Sequence, residues 1–312
     1  MAERKTVLPR RSQSHVPPSL FWGGVRVESA SSAGAEFANS LKKGSDDSFL
    51  IIGDTRRVLA QVPDNIFQCC VTSPPYWSLR DYDIAGQIGL EPSVGDYIAN
   101  LVQVFNEVRR VLRDDGTLWL NIGDSYTSGG RTWRAPDKKN PVRAMDIRPP
   151  TPDGLKPKDL IGVPWRLAFA LQDAGWYLRA DIIWNKPNCQ PESVKDRPTR
   201  CHEYLFLFSK SERYIYDHEI VRGPNGRNLR TVWSINTKAY RQAHFATFPP
   251  ELVEPCIRLG SRERDLVLDP FIGSGTTGHV ALDLDRRFVG IELNPDYVHI
   301  AKTRLNGKVA HG

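Results

Sequence analysis

An α/β fold around a mainly parallel twisted sheet is the architecture this sequence predicts. Three observations predict it. Apolar runs of strand length alternate along the chain with segments of helical period. Residues 94–112 carry apolar side chains at 94, 97, 98, 101, 104, 105, 108, 111 and 112, the spacing of one helix face. The C-terminal part reads as a compact unit: a strand over Leu266-Val267-Leu268-Asp269, a glycine-rich loop, a helix from Thr276 to Leu284, a strand from Phe288 to Ile291 and a helix from Pro295 to Leu305. Alternation of this kind places strands side by side in parallel, with helices covering both faces.

Taken in order, residues 1–48 are rich in Ser, Pro, Gly and charge without a sustained period, and read as an N-terminal tail, partly disordered. Regular structure is expected to begin at Phe49-Leu50-Ile51-Ile52, stopped by Gly53-Asp54, with a short helix from Thr55 to Ala60. Ile66 to Thr72 is the next strand, halted by Ser73-Pro74-Pro75. The helix from Val94 to Leu112 ends at Asp114-Asp115-Gly116, and Thr117 to Ile122 follows as a strand. Residues 125–157 are polar and rich in proline and glycine, the marks of a long loop or insertion. A helix over Leu160 to Ala174, strands over Tyr177 to Trp184 and Tyr204 to Phe208, short pieces across 209–243, and a helix over Pro249 to Leu259 with Pro255 as a kink complete the pass.

A chain of 312 residues, 40% hydrophobic and 25% charged, buries a sizeable core, which excludes a wholly disordered or disulfide-stapled protein. No stretch approaches the roughly twenty apolar residues that span a bilayer. The first residues lack the apolar run of a secretory signal. Five cysteines without a C-x-x-C pair indicate reduced cytosolic thiols, with no metal site; Cys69 and Cys70 read as core. The net charge of +6 is unevenly placed: residues 131–160 hold eight Lys and Arg against four Asp and Glu, and residues 186–243 hold eleven against six. Two local basic surfaces fit a phosphate backbone, or equally a solvated face without a partner.

Two strand ends carry chemistry. At Ser73-Pro74-Pro75-Tyr76 the prolines fix φ and give no N–H, which leaves a rigid, acceptor-rich turn beside a flat ring. That suits a planar group bearing an NH₂, although a Pro-Pro turn with Tyr76 and Trp77 packed in the core fits as well. Ligands gather beyond the carboxyl ends of strands in such sheets. The second site is Asp269-Pro270-Phe271-Ile272-Gly273-Ser274-Gly275-Thr276-Thr277-Gly278, a G-x-G-x-x-G run with Glu292 nineteen residues after Gly273, the spacing of an acid that holds ribose hydroxyls. A nicotinamide-dependent oxidoreductase is therefore one reading. Asp269 stands between the strand and the glycines, where it would repel pyrophosphate but hold a cationic ligand. S-adenosyl-L-methionine (SAM), with a ribose, an amino group, a sulfonium and no phosphate, fits that position.

Together the two motifs resemble the amino-methylating DNA methyltransferases, which carry a (D/N/S)-P-P-(Y/F/W) acceptor motif and a D-P-F-x-G-x-G-T-T cofactor motif. The acceptor motif comes first and the cofactor motif 196 residues later, an order similar to the β class, a circular permutation of the Rossmann-like methyltransferase fold. The segments from Leu118 to Tyr126, Asp181 to Asn188 and His244 to Pro250 extend the likeness over about residues 49–305. The resemblance implies a catalytic half over 49–185 with the basic insertion 125–157, a target-recognition region over 186–243 and a SAM-binding half over 244–312. It implies base flipping, stacking on Tyr76, and amino hydrogens accepted by Ser73 and Pro74. For SAM it implies Asp269 at the methionine amino group, Gly273 and Gly275 at close backbone approach, and Glu292 at the ribose. Pro270, Phe271, Ser274, Thr276, Thr277 and Asn294 lie around it, His244, Phe245 and Thr247 near the methionine end, and Asp54 near the adenine edge. Trp184 and Lys186 would border the flipped base, though Trp184 fits the core equally well. The Ser form of the acceptor motif is typical of cytosine-N4 methylation and the Asp form of adenine-N6 methylation. The implied partners are double-stranded DNA and a cognate restriction endonuclease, the oligomeric state a monomer or homodimer, and the setting a prokaryotic or phage-derived cytoplasmic enzyme. An adenine-N6 enzyme, the oxidoreductase and an inactive DNA-binding relative remain alternatives.

Overall fold

The computed structural model describes residues 25–29, 39–41, 43, 45–127, 133, 148–238 and 248–309. Its strands are β1 (Val25–Ser29), β2 (Ser48–Ile52), β3 (Phe67–Thr72), β4 (Leu112–Ile122), β5 (Tyr177–Asn185), β6 (His202–Ser209), β7 (Val232–Ser234), β8 (Leu266–Asp269) and β9 (Arg287–Glu292). They form one sheet in the order β1-β2-β9-β8-β3-β4-β6-β5-β7. From β1 to β4 all neighbours are parallel; β6 runs antiparallel to β4 and β5, and β7 is parallel to β5. This is the α/β architecture with a mostly parallel, mixed sheet.

Helices α1 (Thr55–Leu59), α2 (Val94–Val111) and α3 (Val163–Asp173) cover one face, and α4 (Pro250–Gly260), α5 (Thr276–Asp283) and α6 (Pro295–Val309) the other. Strand side chains alternate between the two cores. Cys70, Leu118 and Leu120 join the first, and Cys69, Val71 and Trp119 the second, as the period of two requires. All six residues of β3 are buried, the pattern of a strand covered on both faces. The α2 stripe predicted from spacing is buried at Val94, Tyr97, Leu101, Val104, Phe105, Val108 and Val111, and the Ser93 hydroxyl caps the helix by accepting the Asp96 N–H.

The structure departs from, or adds to, expectation in four places. Val25–Ser29 is a strand, so the segment before residue 49 is not wholly a tail. Its Val25-Arg26-Val27-Glu28 run alternates with a period of two, and parallel pairing with β2 holds it at the sheet edge, with an ion pair from Arg26 to Asp47. Asp114-Asp115-Gly116 does not separate helix from strand. β4 starts at Leu112, and its register against β3 slips from Phe67↔Leu112 to Cys69↔Thr117, so the Asp-Asp-Gly segment is taken up as a bulge. Residues 186–243, the segment expected to read the target, also supply β6 and β7 to the central sheet. Pro255 lies inside α4, which runs unbroken from Pro250 to Gly260.

Gly260 closes α4 against the sheet. A Cβ there would lie 2.6 Å from Thr117 Oγ1 and 3.0 Å from both Cys69 Sγ and Trp119 Nε1. Gly260→Ala is therefore expected to destabilise the fold by about 1–3 kcal/mol through overpacking. Urea unfolding should show a lower midpoint with an unchanged slope. Among the described residues, no helix is long and apolar enough to cross a membrane.

Candidate active site

β3 and β8 lie side by side although nearly two hundred residues separate them, with Cys69 opposite Val267 and Cys70 opposite Leu268. Both chemical motifs therefore leave the same edge of the sheet. Beyond β3, Ser73-Pro74-Pro75-Tyr76 turns away from the strand, and the Tyr97 hydroxyl of α2 donates to the Pro75 carbonyl at 2.8 Å. Trp77 is buried in the core, its Nε1–H donated to the Glu91 carbonyl at 3.0 Å. Tyr76 is half-buried beside Gly123, where a Cβ would come within 2.7 Å of its ring. Its hydroxyl donates to Glu203 Oε2 at 2.8 Å and lies 3.3 Å from Asn121 Oδ1 and 3.4 Å from Ser73 Oγ. Burial, then the Glu203 carboxylate, push the phenol well above its ordinary pKa, so it stays a donor. Glu203 also pairs with Lys186, whose ammonium sits 4.2 Å above the Trp184 ring.

Beyond β8 the chain runs through Pro270 and Phe271 to Gly273 (φ 51°) and Gly275 (φ 84°). At the end of β9, Glu292 Oε2 accepts the Gly273 N–H at 3.0 Å and Oε1 the Asn294 N–H at 2.8 Å. Burial pushes this carboxyl up to about 7. Asp54 caps α1 and grips the Arg56 guanidinium, whose Nη2 also donates to the Gly86 carbonyl at 3.1 Å. Burial alone would raise the Asp54 carboxyl, but bonds and charge from Arg56 hold it below its usual range.

Two positions of the glycine loop make contacts within the fold that the sequence did not indicate. Asp269 is 1% exposed and does not face the cavity. Its Oδ1 accepts from Thr72 Oγ1 at 2.6 Å and from the Phe271 N–H at 3.1 Å, and its Oδ2 lies 2.7 Å from Thr277 Oγ1. It clamps β3 to the loop after β8; burial pushes its carboxyl up to about 6. Thr277 belongs to the same clamp. At Gly275 a Cβ would meet Ala301 Cβ of α6 at 3.1 Å, so the position also serves the positive φ and helix packing. Asp269→Ala should lower stability by about 1–3 kcal/mol even without ligand, because the buried Thr72 hydroxyl and the Phe271 N–H lose their acceptor and Thr277 keeps only the Val71 carbonyl. A melting temperature equal to wild type would refute the clamp.

One cavity of about 320 Å³ joins the two motifs. Ser73, Pro74, Pro75 and Tyr76 line one part of it, and Pro270, Phe271, Gly273, Ser274, Thr276, Glu292, Asn294 and Asp54 another. Trp184 and Lys186 also line it, Trp184 with only 3% of its area exposed and packed in the second core. His244, Phe245 and Thr247 lie outside the described residues. Sequence reasoning missed Glu203, the segment around Tyr82 and Ile84, and Tyr297, which packs edge-on to Tyr82 with centroids 5.8 Å apart. A signal for Glu203 was present: it is the one acid in β6, just before the apolar run Leu205 to Phe208. Of the basic residues in 186–243, Lys186, Arg197, Arg200, Lys210, Arg222 and Lys238 each pair with an acid, so less of that charge is available to a polyanion than the count suggests. Most of the basic stretch 131–147 lies outside the described residues.

Residues 67–303 match the N6/N4-type DNA methylase family. This chain belongs to that family. The methylase is 62% identical to the Type II methyltransferase M.XycI of Xanthomonas campestris pv. cyanopsidis over 265 residues, 84% of this chain and 88% of that one. It is also 62% identical to M.SmaI of Serratia marcescens over 262 residues, 82% of this chain and 90% of that one. Among solved structures it resembles the PvuII DNA methyltransferase (cytosine-N4-specific), with TM-score 0.63 and 23% identity over 82% of this chain and 85% of that one, a likeness of fold. A DNA modification methylase of Thermus thermophilus, solved with SAM, gives TM-score 0.61 and 26% identity over 83% and 93% of the two chains. The nicotinamide oxidoreductase reading falls here, and SAM is the cofactor of the methylase. The residues fit it: the cavity offers the Glu292 carboxylate for paired hydroxyls and Phe271 for an apolar contact, and the Gly273 and Asn294 N–H groups that a pyrophosphate would need are already taken by that carboxylate.

Proposed function

We propose that this DNA methylase transfers a methyl group to the exocyclic N4 of cytosine in double-stranded DNA. One observation carries the reading: Ser73 and Tyr76 share a cavity with Gly273 and Glu292, so a flipped base and a methyl donor would meet there. SAM, when bound, supplies an activated methyl group on a sulfonium. Tyr76 stacks on the extruded base. Ser73 Oγ and the Pro74 carbonyl accept the two amino hydrogens and localise the nitrogen lone pair, which attacks the methyl carbon as the carbon–sulfur bond breaks. The nitrogen then loses one proton to solvent, since Ser73 is neutral. Glu292 holds the ribose, Phe271 and Asp54 border the adenine, and His244, Phe245 and Thr247 complete the methionine end.

The Ser form of the acceptor motif supports cytosine over adenine. The Type II names of the relatives support a place beside a restriction endonuclease of the same specificity in a prokaryotic cytoplasm, and the basic residues of 125–157 and 186–243 support target recognition there. Nucleoside mass spectrometry of DNA from cells expressing the chain should show N4-methylcytosine. N6-methyladenine alone would overturn the base assignment.

A further inference from the structure

The acceptor loop is tied to a charged network that the transfer chemistry above does not use. Glu203 projects from β6 at the point where β4 ends: Ile122 pairs with Tyr204, which brings Gly123 beside Glu203. One carboxylate oxygen takes the Tyr76 phenol hydrogen at 2.8 Å and the Asn121 amide at 3.2 Å. The other is paired with Lys186, whose own backbone N–H is held by the Cys201 carbonyl at 2.7 Å. Asn121 is in turn fixed by the Tyr204 carbonyl at 3.1 Å. Both charged side chains are largely buried, with 16% and 18% of their area exposed. Such a pair is costly to desolvate and is a poor source of stability, so its position against the cavity calls for another account.

We propose that Glu203, braced by Lys186 and Asn121, is a positioning residue that locks the ring of Tyr76 in the plane on which the target base stacks. The proposal rests on the reading that Tyr76 is the stacking platform. The ring lies against Gly123, where a Cβ would come within 2.7 Å of it, and a flat backbone surface of that kind does not by itself fix the rotation of the ring. A phenol bonded to a braced carboxylate has one orientation. Misplacing a reacting group by about an ångström costs methyl transfer heavily, while SAM binding, which uses the other part of the cavity, is not engaged. Tyrosine is thus used here for its hydroxyl as well as its ring.

A double-mutant cycle tests this on the full chain with a DNA duplex and SAM. Single-turnover methylation should fall about tenfold in Glu203→Ala and about tenfold in Tyr76→Phe, and the double variant should lose no more than either, since both remove one bond. The Kd for SAM should stay within about twofold of wild type, and Glu203→Gln, which keeps an acceptor for the phenol, should regain most of the rate. A structural role alone would not produce a non-additive cycle with intact SAM binding. Losses that multiply to about a hundredfold in the double variant, or wild-type turnover in Glu203→Ala, would overturn the assignment. Should Glu203→Ala fail to fold, Tyr76→Phe alone decides, because wild-type turnover there shows that the hydroxyl positions nothing. Full activity in Tyr76→Ala would instead remove the platform reading itself.

Discussion

Tyr76→Ala is expected to reduce methyl transfer by at least about a hundredfold while leaving SAM affinity within about twofold of wild type. Base–aromatic stacking is worth about 1–3 kcal/mol per base, and the ring also fixes the angle at which the amino group meets the methyl donor. The side chain lines the part of the cavity bordered by Ser73, Asn121 and Glu203, whereas the glycine loop and Glu292 line the other. The substitution leaves the backbone turn in place, since the Pro75 carbonyl is still held by Tyr97 and Trp77 by Glu91. Methyl incorporation into DNA and SAM titration, measured on the same preparation, separate the two effects. Loss of both together would show that the loop had collapsed; retention of both would mean that Tyr76 does not meet the base.

What the sequence revealed and what it concealed follow one physical division. Local patterns speak for themselves: the buried run of β3, the stripe of α2 and the strand–loop–helix of the cofactor unit were legible because each is fixed by its own neighbours. Adjacency of the two motifs was legible only through their chemistry. Side-chain direction was not legible. Asp269 is the right residue type for a cationic ligand, yet the alternation of β8 turns it inward to Thr72 and Thr277. Gly275 suggests room for a ligand in the sequence and is needed against Ala301 in the fold. Glu203 reaches the acceptor loop only because β6 returns antiparallel to β4, and that pairing leaves no local trace. β1 carries the alternation Val25-Arg26-Val27-Glu28, a local signal, but sits in a stretch otherwise rich in Ser, Gly and Pro, and pairing with β2 is what holds it.

Glu292→Ala is expected to weaken SAM binding about a hundredfold, and wild-type affinity is expected to fall as pH drops below about 7. The carboxylate is the group in the cavity suited to take two ribose hydroxyls at once, and hydrogen bonds to a charged partner are worth about 1.5–3 kcal/mol each. Burial drives its pKa from 4.5 up to about 7, although the Gly273 and Asn294 N–H groups favour the ionised form. The sign follows from that raised value. In the ligand-free protein the carboxyl holds its proton below about 7, and a protonated carboxyl cannot accept both hydroxyls. Binding therefore expels a proton below that pH, and affinity should drop toward about tenfold per unit there while levelling above it. The same shift makes the ligand-free fold lose stability as pH rises from about 4.5 to about 7, because the unfolded chain gives up this proton first. Calorimetric titrations of SAM at several pH values, in two buffers of different ionisation enthalpy, read both the Kd and the proton released. Glu292→Gln, which keeps the size but does not titrate, should bind weakly and without the pH dependence. A wild-type Kd that stays flat across that pH range, with no proton released, would show that the ribose is held elsewhere.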